Sequence, residues 1–447
     1  MVNQSIKKIY LIGIKGTGLS SLAVLLKKMG YVVSGSDTAE TFFTESQLKS
    51  NHISYHNGFS TDHINTRSDL VIYSTAYGDS NLEILQAKKL RIPLLSYPEA
   101  IGWISQNLIS VAVCGSHGKT TTTSMLAWIM QYNDRTAALV GTVADLNKKI
   151  KDPTHFVFEA DEYQDKLQHY NPLHVILTNI DYDHPDFFKT EKQYTETFHR
   201  FATRILKQKG FILYNHDDKA TQDTLKKLKG DLRSYGFSSE AGFQVIPTKN
   251  LDGFSVTVRS KKLLSISLSV YGRHNILNAA AAAIMALRLN VPTNIIKQRL
   301  KTFTGIKRRM EIIPSKNYLL IDDYGHHPTE IRATLSALRH HYPKHTIVAV
   351  FHPHTFTRTK TLLKEFGRSF SDVDRVIVLD IYASAREKAG GVHATDLVKE
   401  IKKDGVVAIH CPTIPEAAEY IKKNIPKKSL ILTIGAGDVW KLCDLLK

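Results

Sequence analysis

Short apolar runs alternate with longer amphipathic stretches along the whole chain, the pattern of strands buried in a parallel sheet and helices laid across its faces. The first series predicts a strand at IYLIGI (9–14), a glycine turn, a helix at LSSLAVLLKKMG (19–30), and strands at YVVSGSD (31–37) and DLVIYST (69–75). A second series opens with the strand LISVAVCG and the helix TTSMLAWIMQY. It continues through the strands HFVFEA, HVILTNI and GFILYN to the alanine-rich helix ILNAAAAAIMALRL. A third runs from strand YLLIDDY through helix PTEIRATLSALRHH, strand TIVAVF, helix TKTLLKEFGRSF, strand RVIVLDIY and helix ATDLVKEIKK to strand LILTIGAG. The expectation is an α/β protein of three consecutive domains: residues 1–107, Rossmann-like; 108–312, a parallel sheet of the phosphate-loop ATPase kind; and 313–447, again Rossmann-like. No short-period repeat is visible, so a solenoid is excluded.

The length of 447 residues suits several cores, and 43% hydrophobic with 23% charged residues is a globular balance. No apolar run reaches membrane-spanning length, and MVNQSIKKIY enters its strand too early to hold a secretory signal, so a cytoplasmic protein is expected. Cys114, Cys411 and Cys443 each sit in an apolar stretch, as buried small hydrophobes do. The net charge of +17 suits polyanionic partners, but the lysines are scattered in pairs beside apolar helical positions, which is how solvated helix faces read. Without a basic tail or base-stacking motif, no nucleic-acid partner is expected.

Chemistry concentrates first at Gly115, Ser116, His117, Gly118, Lys119, Thr120 and Thr121, a glycine turn between strand and helix. There, backbone N–H groups and the positive helix end can cradle phosphate, Lys119 can neutralise it and the Thr120 hydroxyl can hold Mg2+. The usual GxxxxGK[ST] spacing is shortened to GxxGKTT, because Val113 stands where the first glycine belongs. Two acidic strand ends follow, Glu159–Asp161–Glu162 and Asp183–His184–Asp186, at the sheet edge where ligands of parallel α/β folds gather. From these, Glu159 and His184 are taken as metal ligands beside Thr120.

Together with His274, Asn275 and Asn278 in YGRHNILN, these motifs resemble the Mur ligase family from end to end of the chain, from the first glycine turn to IGAGD. DDYGHHPTE (322–330), GTGLSSLA, KRRME and HPHTFTRT resemble its L-alanine-adding branch. The resemblance implies a first domain for a UDP-sugar, a central ATPase, and a third domain that brings the amino acid and closes over ATP. It implies ATP-dependent joining of L-alanine to UDP-N-acetylmuramate, with ATP and Mg2+ as cofactors and an acyl phosphate between. Phosphates would lie on Gly115–Thr121, and adenine near His274, Asn275 and Asn278. Arg309 and Asp323 would reach across the cleft, and Tyr324, His326 and Arg358 would surround the amino acid. Lys119, Glu159, His184 and His326 are the expected catalytic groups, His326 as the base that helps deprotonate the amine or as a group that fixes the substrate. The sequence departs from relatives at HPHT, where others carry QPHR, so Thr355 cannot provide a second arginine. The connection between residues 141 and 155 looks short.

Other readings remain open. Gly16, Thr17, Gly18 and Ser21 approximate a dinucleotide fingerprint, with Asp37 ending the next strand, which would suit NAD. The same turn, with Asp37 and Ser74, can hold the UDP moiety, and nothing later resembles hydride-transfer machinery. His326-His327 with His352 and His354 can be drawn as a zinc cluster or as the lining of an interdomain cleft. A preformed peptide is the alternative acceptor, although peptide-adding relatives usually read DDFAHHPT. Gly102 and Gly305 lie near the two boundaries, where hinges belong.

Overall fold

The computed structural model describes residues 6–42, 44–141, 150–383 and 390–447. The connection between 141 and 155 therefore falls largely outside the described residues. Each of the three series builds its own sheet. The first contains β1 (Lys8–Ile12), β2 (Val32–Asp37), β3 (Ser54–Asn57), β4 (Leu70–Tyr73) and β5 (Leu94–Ser96), all parallel in the order β3-β2-β1-β4-β5. The second contains β6 (Ile109–Cys114), β7 (Thr136–Leu139), β8 (His155–Glu159), β9 (His174–Leu177), β10 (Phe211–Asn215), β11 (Asp231–Gly236), β12 (Phe243–Pro247), β13 (Gly253–Val258) and β14 (Lys261–Ser267). Its order is β14-β13-β12-β11-β10-β9-β6-β8-β7. Seven strands are parallel, and β13 and β14 add an antiparallel meander at one edge. The third contains β15 (Glu311–Ile313), β16 (Leu319–Asp323), β17 (Ile347–Phe351), β18 (Arg375–Val378), β19 (Val407–His410) and β20 (Leu430–Ile434), ordered β15-β16-β20-β17-β18-β19. It is parallel except for β15.

The expected boundary at 312/313 falls inside β15, which pairs with β16 and so belongs to the third sheet. The helix expected at 359–370 is two helices, Phe356–Thr361 and Leu363–Gly367, broken at Leu362 (φ −107°).

The two domain junctions differ in kind. Helix Tyr97–Asn107 contributes Ile101 and Ile104 to one apolar cluster that also holds Leu22 and Ile72 of the first domain and Phe156, Leu167 and Tyr170 of the second. Continuous apolar packing of this sort resists relative motion. Gly102 is part of that seam and not a hinge. It lies within the helix, and a Cβ there would come 2.1 Å from the His169 carbonyl oxygen. At the other position, Gly305, φ is +99°, and a Cβ there would meet only Val270, at 3.7 Å. It lies between the helix Thr293–Lys301 and β15, where the central and third domains face each other across a cleft lined by polar and apolar side chains alike. All three cysteines are buried and unpaired, and among the described residues no helix is long and apolar enough to cross a membrane.

Candidate functional site

β6 lies between β8 and β9, so the loop leaving its carboxyl end is flanked by both acidic strand ends. That loop turns at Gly115 (φ +126°) and Gly118 (φ +79°) into the helix Lys119–Met130. A Cβ on Gly115 would come 2.3 Å from the Thr178 hydroxyl oxygen, and one on Gly118 2.6 Å from Asn278 Oδ1, so both positions require glycine. Lys119 Nζ donates to the carbonyls of Gly115 (2.5 Å) and Ser116 (3.0 Å) and to Glu162 Oε2 (2.9 Å). Burial works against its charge, but the carboxylates of Glu162, Asp161 and Glu159 outweigh burial and raise its pKa, so it stays a cation.

The expected metal ligands divide between two neighbouring groups. Thr120 Oγ1 donates to Glu159 Oε1 at 3.1 Å, while the other oxygen of Glu159 accepts from the Gly141 N–H at 2.9 Å. Burial raises the Glu159 pKa against the pull of Lys119, so a carboxylate sits there that a bound cation would stabilise. His184 faces Glu162 rather than Glu159, with Nε2 3.7 Å from Glu162 Oε1, and ligand atoms of Asp161, Glu162 and His184 lie within 4.8 Å of one another. Hydroxyl and carboxylate oxygens dominate the two groups together, which fits a hard cation such as Mg2+. Glu162, fully buried and also bonded by the Tyr194 hydroxyl (3.0 Å), is the acid that sequence reasoning left out of the ligand set.

Beyond this loop a cavity of about 440 Å³ opens between the central and third domains. His117, Gly118 and Thr121 line one end, His274, Asn275 and Asn278 a wall, and Arg309 and Asp323 the third-domain side. These are the residues expected around ATP, brought together from distant segments. The Thr122 hydroxyl donates to Asn278 Oδ1 (3.1 Å), tying helix Arg273–Arg288 to the helix that follows the phosphate loop, while Asn275 Nδ2 donates to the Tyr271 carbonyl (2.8 Å) at its own helix start. Burial, with Arg309 beside it, lowers His274 to about 4, leaving a neutral imidazole. Burial raises Asp323 to about 6 although Arg309 opposes it, and its oxygens accept from the Met310 and Gly325 N–H groups.

The cleft is closed by polar contacts. Asp181 Oδ2 accepts from the Thr329 hydroxyl (2.6 Å) and lies 3.0 Å from His117 Nε2. Glu330 caps its own helix through the N–H groups of His326 (3.0 Å) and His327 (3.3 Å) and takes Arg309 at 3.3 Å. The usual spacing of a capping box was the available signal for Glu330; Thr329 and Asp181 carried none. Arg358 is buried, with Nε and Nη2 each 3.0 Å from Asp183 Oδ1. The expected place of Arg358 around the amino acid is therefore corrected: two of its donors join the domains, and Nη1 turns toward His354 (3.4 Å from Nδ1). Tyr324 and His326 stand beside this edge, with ring centroids 5.6 Å apart. Burial, then Arg358, hold His326 down to about 3, so its imidazole is neutral and too weak a base to hold an amine proton. Positioning is the role its surroundings favour.

The four histidines drawn as a zinc cluster diverge. His326 and His354 have ring centroids 6.3 Å apart, His327 turns to Asp181 and His352 to Asp438.

In the first domain, Gly16 precedes the helix Thr17–Lys28, with Thr17 and Gly18 in its opening turn, and Ser74 follows β4. Asp37 does not offer itself to a ribose. Its carboxylate is buried and accepts from the Lys15 N–H (2.7 Å), the Tyr77 hydroxyl (2.8 Å) and the Thr38 N–H (2.9 Å), so it shapes the turn instead.

Comparison with known proteins places these features in context. Three family models match: the catalytic domain of the Mur ligase family at residues 8–108, the Mur ligase middle domain at 113–286, and the Mur ligase glutamate ligase domain at 308–437. A UDP-N-acetylmuramate–L-alanine ligase of Lactobacillus acidophilus is 38% identical over 444 residues, covering 98% of each chain. The crystal structure of the UDP-N-acetylmuramate-alanine ligase MurC from Thermotoga maritima superimposes with a TM-score of 0.77 at 25% identity, covering 98% of this chain and 97% of that one. A murein peptide ligase from Psychrobacter arcticus shares the fold, with a TM-score of 0.67 at 24% identity and 98% of each chain covered.

Proposed function

The chain belongs to the Mur ligase family, and from that premise we propose that it joins L-alanine to the lactyl carboxylate of UDP-N-acetylmuramate at the expense of ATP, in the cytoplasm, for peptidoglycan precursor synthesis. The observation that carries the acceptor and the nucleotide sugar is the 38% identity, over nearly the whole length of both chains, to a ligase of that name.

An ionised carboxylate resists attack by an amine, so its oxygen must first become a leaving group. The carboxylate oxygen attacks the γ phosphorus of ATP, ADP departs, and an acyl phosphate forms. The neutral amine of L-alanine then attacks the acyl carbon, the C–O bond to phosphate breaks, and the departing phosphate takes up the proton that the nitrogen gives up. Lys119, already held cationic beside the phosphate loop, stabilises charge on the transferring group, and the loop glycines admit the phosphates to backbone N–H groups. Thr120, Glu159 and His184, joined by Glu162, would hold Mg2+, which supplies neutralisation of phosphate charge. His274, Asn275 and Asn278 line the wall that would take the adenosine, and Arg309 and Asp323 meet it from the third domain. Tyr324 and His326 orient the amino acid, with Arg358 Nη1 beside them on the closing edge. Gly16, Thr17, Gly18 and Ser74 are the proposed UDP-sugar contacts, with Asp37 holding their turn in shape. Closure matters because an acyl phosphate hydrolyses in water.

The test is phosphate release from ATP with UDP-N-acetylmuramate and each of L-alanine, glycine, L-serine and a tripeptide. L-alanine is expected to give the highest kcat/KM, with glycine and L-serine only modestly behind, since one methyl group gives limited discrimination. Preference for the tripeptide would overturn the acceptor and leave the ligase chemistry standing.

A further inference from the structure

His327 leaves its sequence neighbour His326 and crosses the cleft, where its Nδ1 lies 3.4 Å from Asp181 Oδ2. His117, from the phosphate loop, reaches the same oxygen with Nε2 at 3.0 Å. We propose that His117, Asp181 and His327 form a site for a divalent transition-metal ion, zinc being the type case, which bolts the cleft shut and so inhibits the enzyme.

The geometry needs little adjustment. Ligand atoms of the three residues lie within 4.8 Å of one another. Zinc bonds of ~2.1 Å in a tetrahedron set donors about 3.4 Å apart, close to the two separations already present. The donors also have the supporting contacts that orient metal ligands. Glu330 Oε1 stands 3.8 Å behind His117 Nδ1, and the Thr329 hydroxyl holds Asp181 Oδ2 at 2.6 Å. His327 Nδ1 would exchange a 3.3 Å contact from the Thr329 N–H for the metal. Two imidazoles and one carboxylate favour zinc, cobalt or nickel over Mg2+, whereas the nearby Asp161–Glu162–His184 group, with its two carboxylates, favours the harder ion. Burial lowers His327 to about 4, and against burial His117 leads the groups that bring Asp181 to about 2, so both already carry the lone pairs a metal needs; His117, whose pKa Asp181 and Glu330 raise against its burial, gives up its Nε2 proton when the metal binds. His117 and Asp181 also line the cavity, which leaves a fourth position open to water there.

His117 and Asp181 belong to the central domain and His327 to the third, so a complete site exists only in the closed state. A metal that needs all three donors must favour closure by its differential affinity. Turnover requires opening to release products, so the same ion slows it. The inference is independent of which amino acid is the acceptor.

The test is titration of cobalt(II) into the metal-free full-length protein, followed by competition with zinc, with small-angle X-ray scattering to follow closure. Wild type is expected to develop the visible bands of tetrahedral cobalt and to become more compact with zinc. His327→Ala should lose the bands and at least about tenfold in affinity, while His184→Ala, which alters the harder site, should keep both. Asp181→Asn, nearly isosteric, reads the same loss should melting curves show His327→Ala misfolded. Absence of tetrahedral bands in wild type, or bands that survive in His327→Ala and vanish in His184→Ala, would overturn the site. Binding without compaction would overturn the bolt.

Discussion

Thr355 adopts φ 70° and ψ 136°, a backbone region that a β-branched residue enters only under constraint, and it does so between His354 and Arg358. Such a conformation costs about 1–3 kcal/mol, whereas glycine's added chain entropy costs about 0.5–1 kcal/mol. Thr355→Gly should therefore leave stability to urea unchanged or raise it by about 1 kcal/mol, since glycine replaces a capping threonine at a loss of only a few tenths. Thr355→Ala keeps the Cβ, loses the cap to the Arg358 N–H, and should be less stable than wild type by roughly 1 kcal/mol. Lys119 makes the opposite kind of contribution. Its ammonium is aimed at charge that develops during transfer, so Lys119→Ala should retain its fold by circular dichroism and lose about a hundredfold or more in turnover, ~3 kcal/mol. Wild-type turnover in the folded variant would remove the phosphate-loop assignment. Lys119 was legible from its motif because local spacing fixes its place at a helix start. Asp37 was half legible: its position at a strand end is a matter of register, but the Lys15 and Tyr77 contacts that occupy it come from tertiary approach that no spacing records.

Most long apolar strands were legible, because burial on both faces of a parallel strand writes a continuous signal, but short strands such as β7 (Thr136–Leu139) and β19 (Val407–His410) were not read, having too few residues to show one. The meander of β13 and β14 was missed for the converse reason. β14 is an edge strand reading exposed, exposed, exposed, buried, exposed, buried, exposed, and its half-polar pattern carries little contrast. The start of helix Pro328–His341 and the start of helix Arg273–Arg288 bring His326, His327 and His274 into the closed cleft as neutral rings. Burial is the leading cause in all three, lowering them to about 3, 4 and 4. A histidine with a depressed folded pKa binds fewer protons folded than unfolded, so its stabilising effect is complete above about 6.5 and is lost as pH falls toward 4. His117 runs the other way: although burial lowers it, Asp181 and Glu330 raise its pKa, so its contribution is complete below about 6.5 and fades as pH rises through the folded value. Burial depresses His155, His174, His341 and His352 as well, which act with the first three, whereas the carboxyls of Asp323, Glu159 and Asp322, raised by burial, gain protons in the folded state and act with His117; seven groups against four set the net sign. The melting temperature should fall between about pH 6.5 and 4, with a rising radius of gyration as the cleft opens; a flat profile across that window would contradict neutral burial of these rings.

At the scale of the whole molecule, an apolar seam fixes the first domain to the second, whereas hydrogen bonds and ion pairs close the third over the cavity. Arg358 and Asp183 are the most buried of these closing charges. Lysine keeps the charge of Arg358 but not the paired donors, so Arg358→Lys should raise the KM for ATP and for L-alanine together, each by about tenfold or ~1.4 kcal/mol. A rise confined to L-alanine would restore its expected place around the amino acid. The strand order of the third sheet has a further consequence, for how the protein is made. β20 lies between β16 and β17, although more than a hundred residues separate it from β16 in the chain. The first two domains can fold on the ribosome as their contiguous segments emerge, but the third lacks its middle strand until Leu430–Ile434 has left the exit tunnel. Until then β16 and β17 expose facing edges, which makes this interval the one most open to mispairing and to chaperone capture. Ribosome-arrested chains ending before residue 430 should show protease-resistant first and second domains and a digestible third, and the lid over the nucleotide would be the last part of the enzyme to exist.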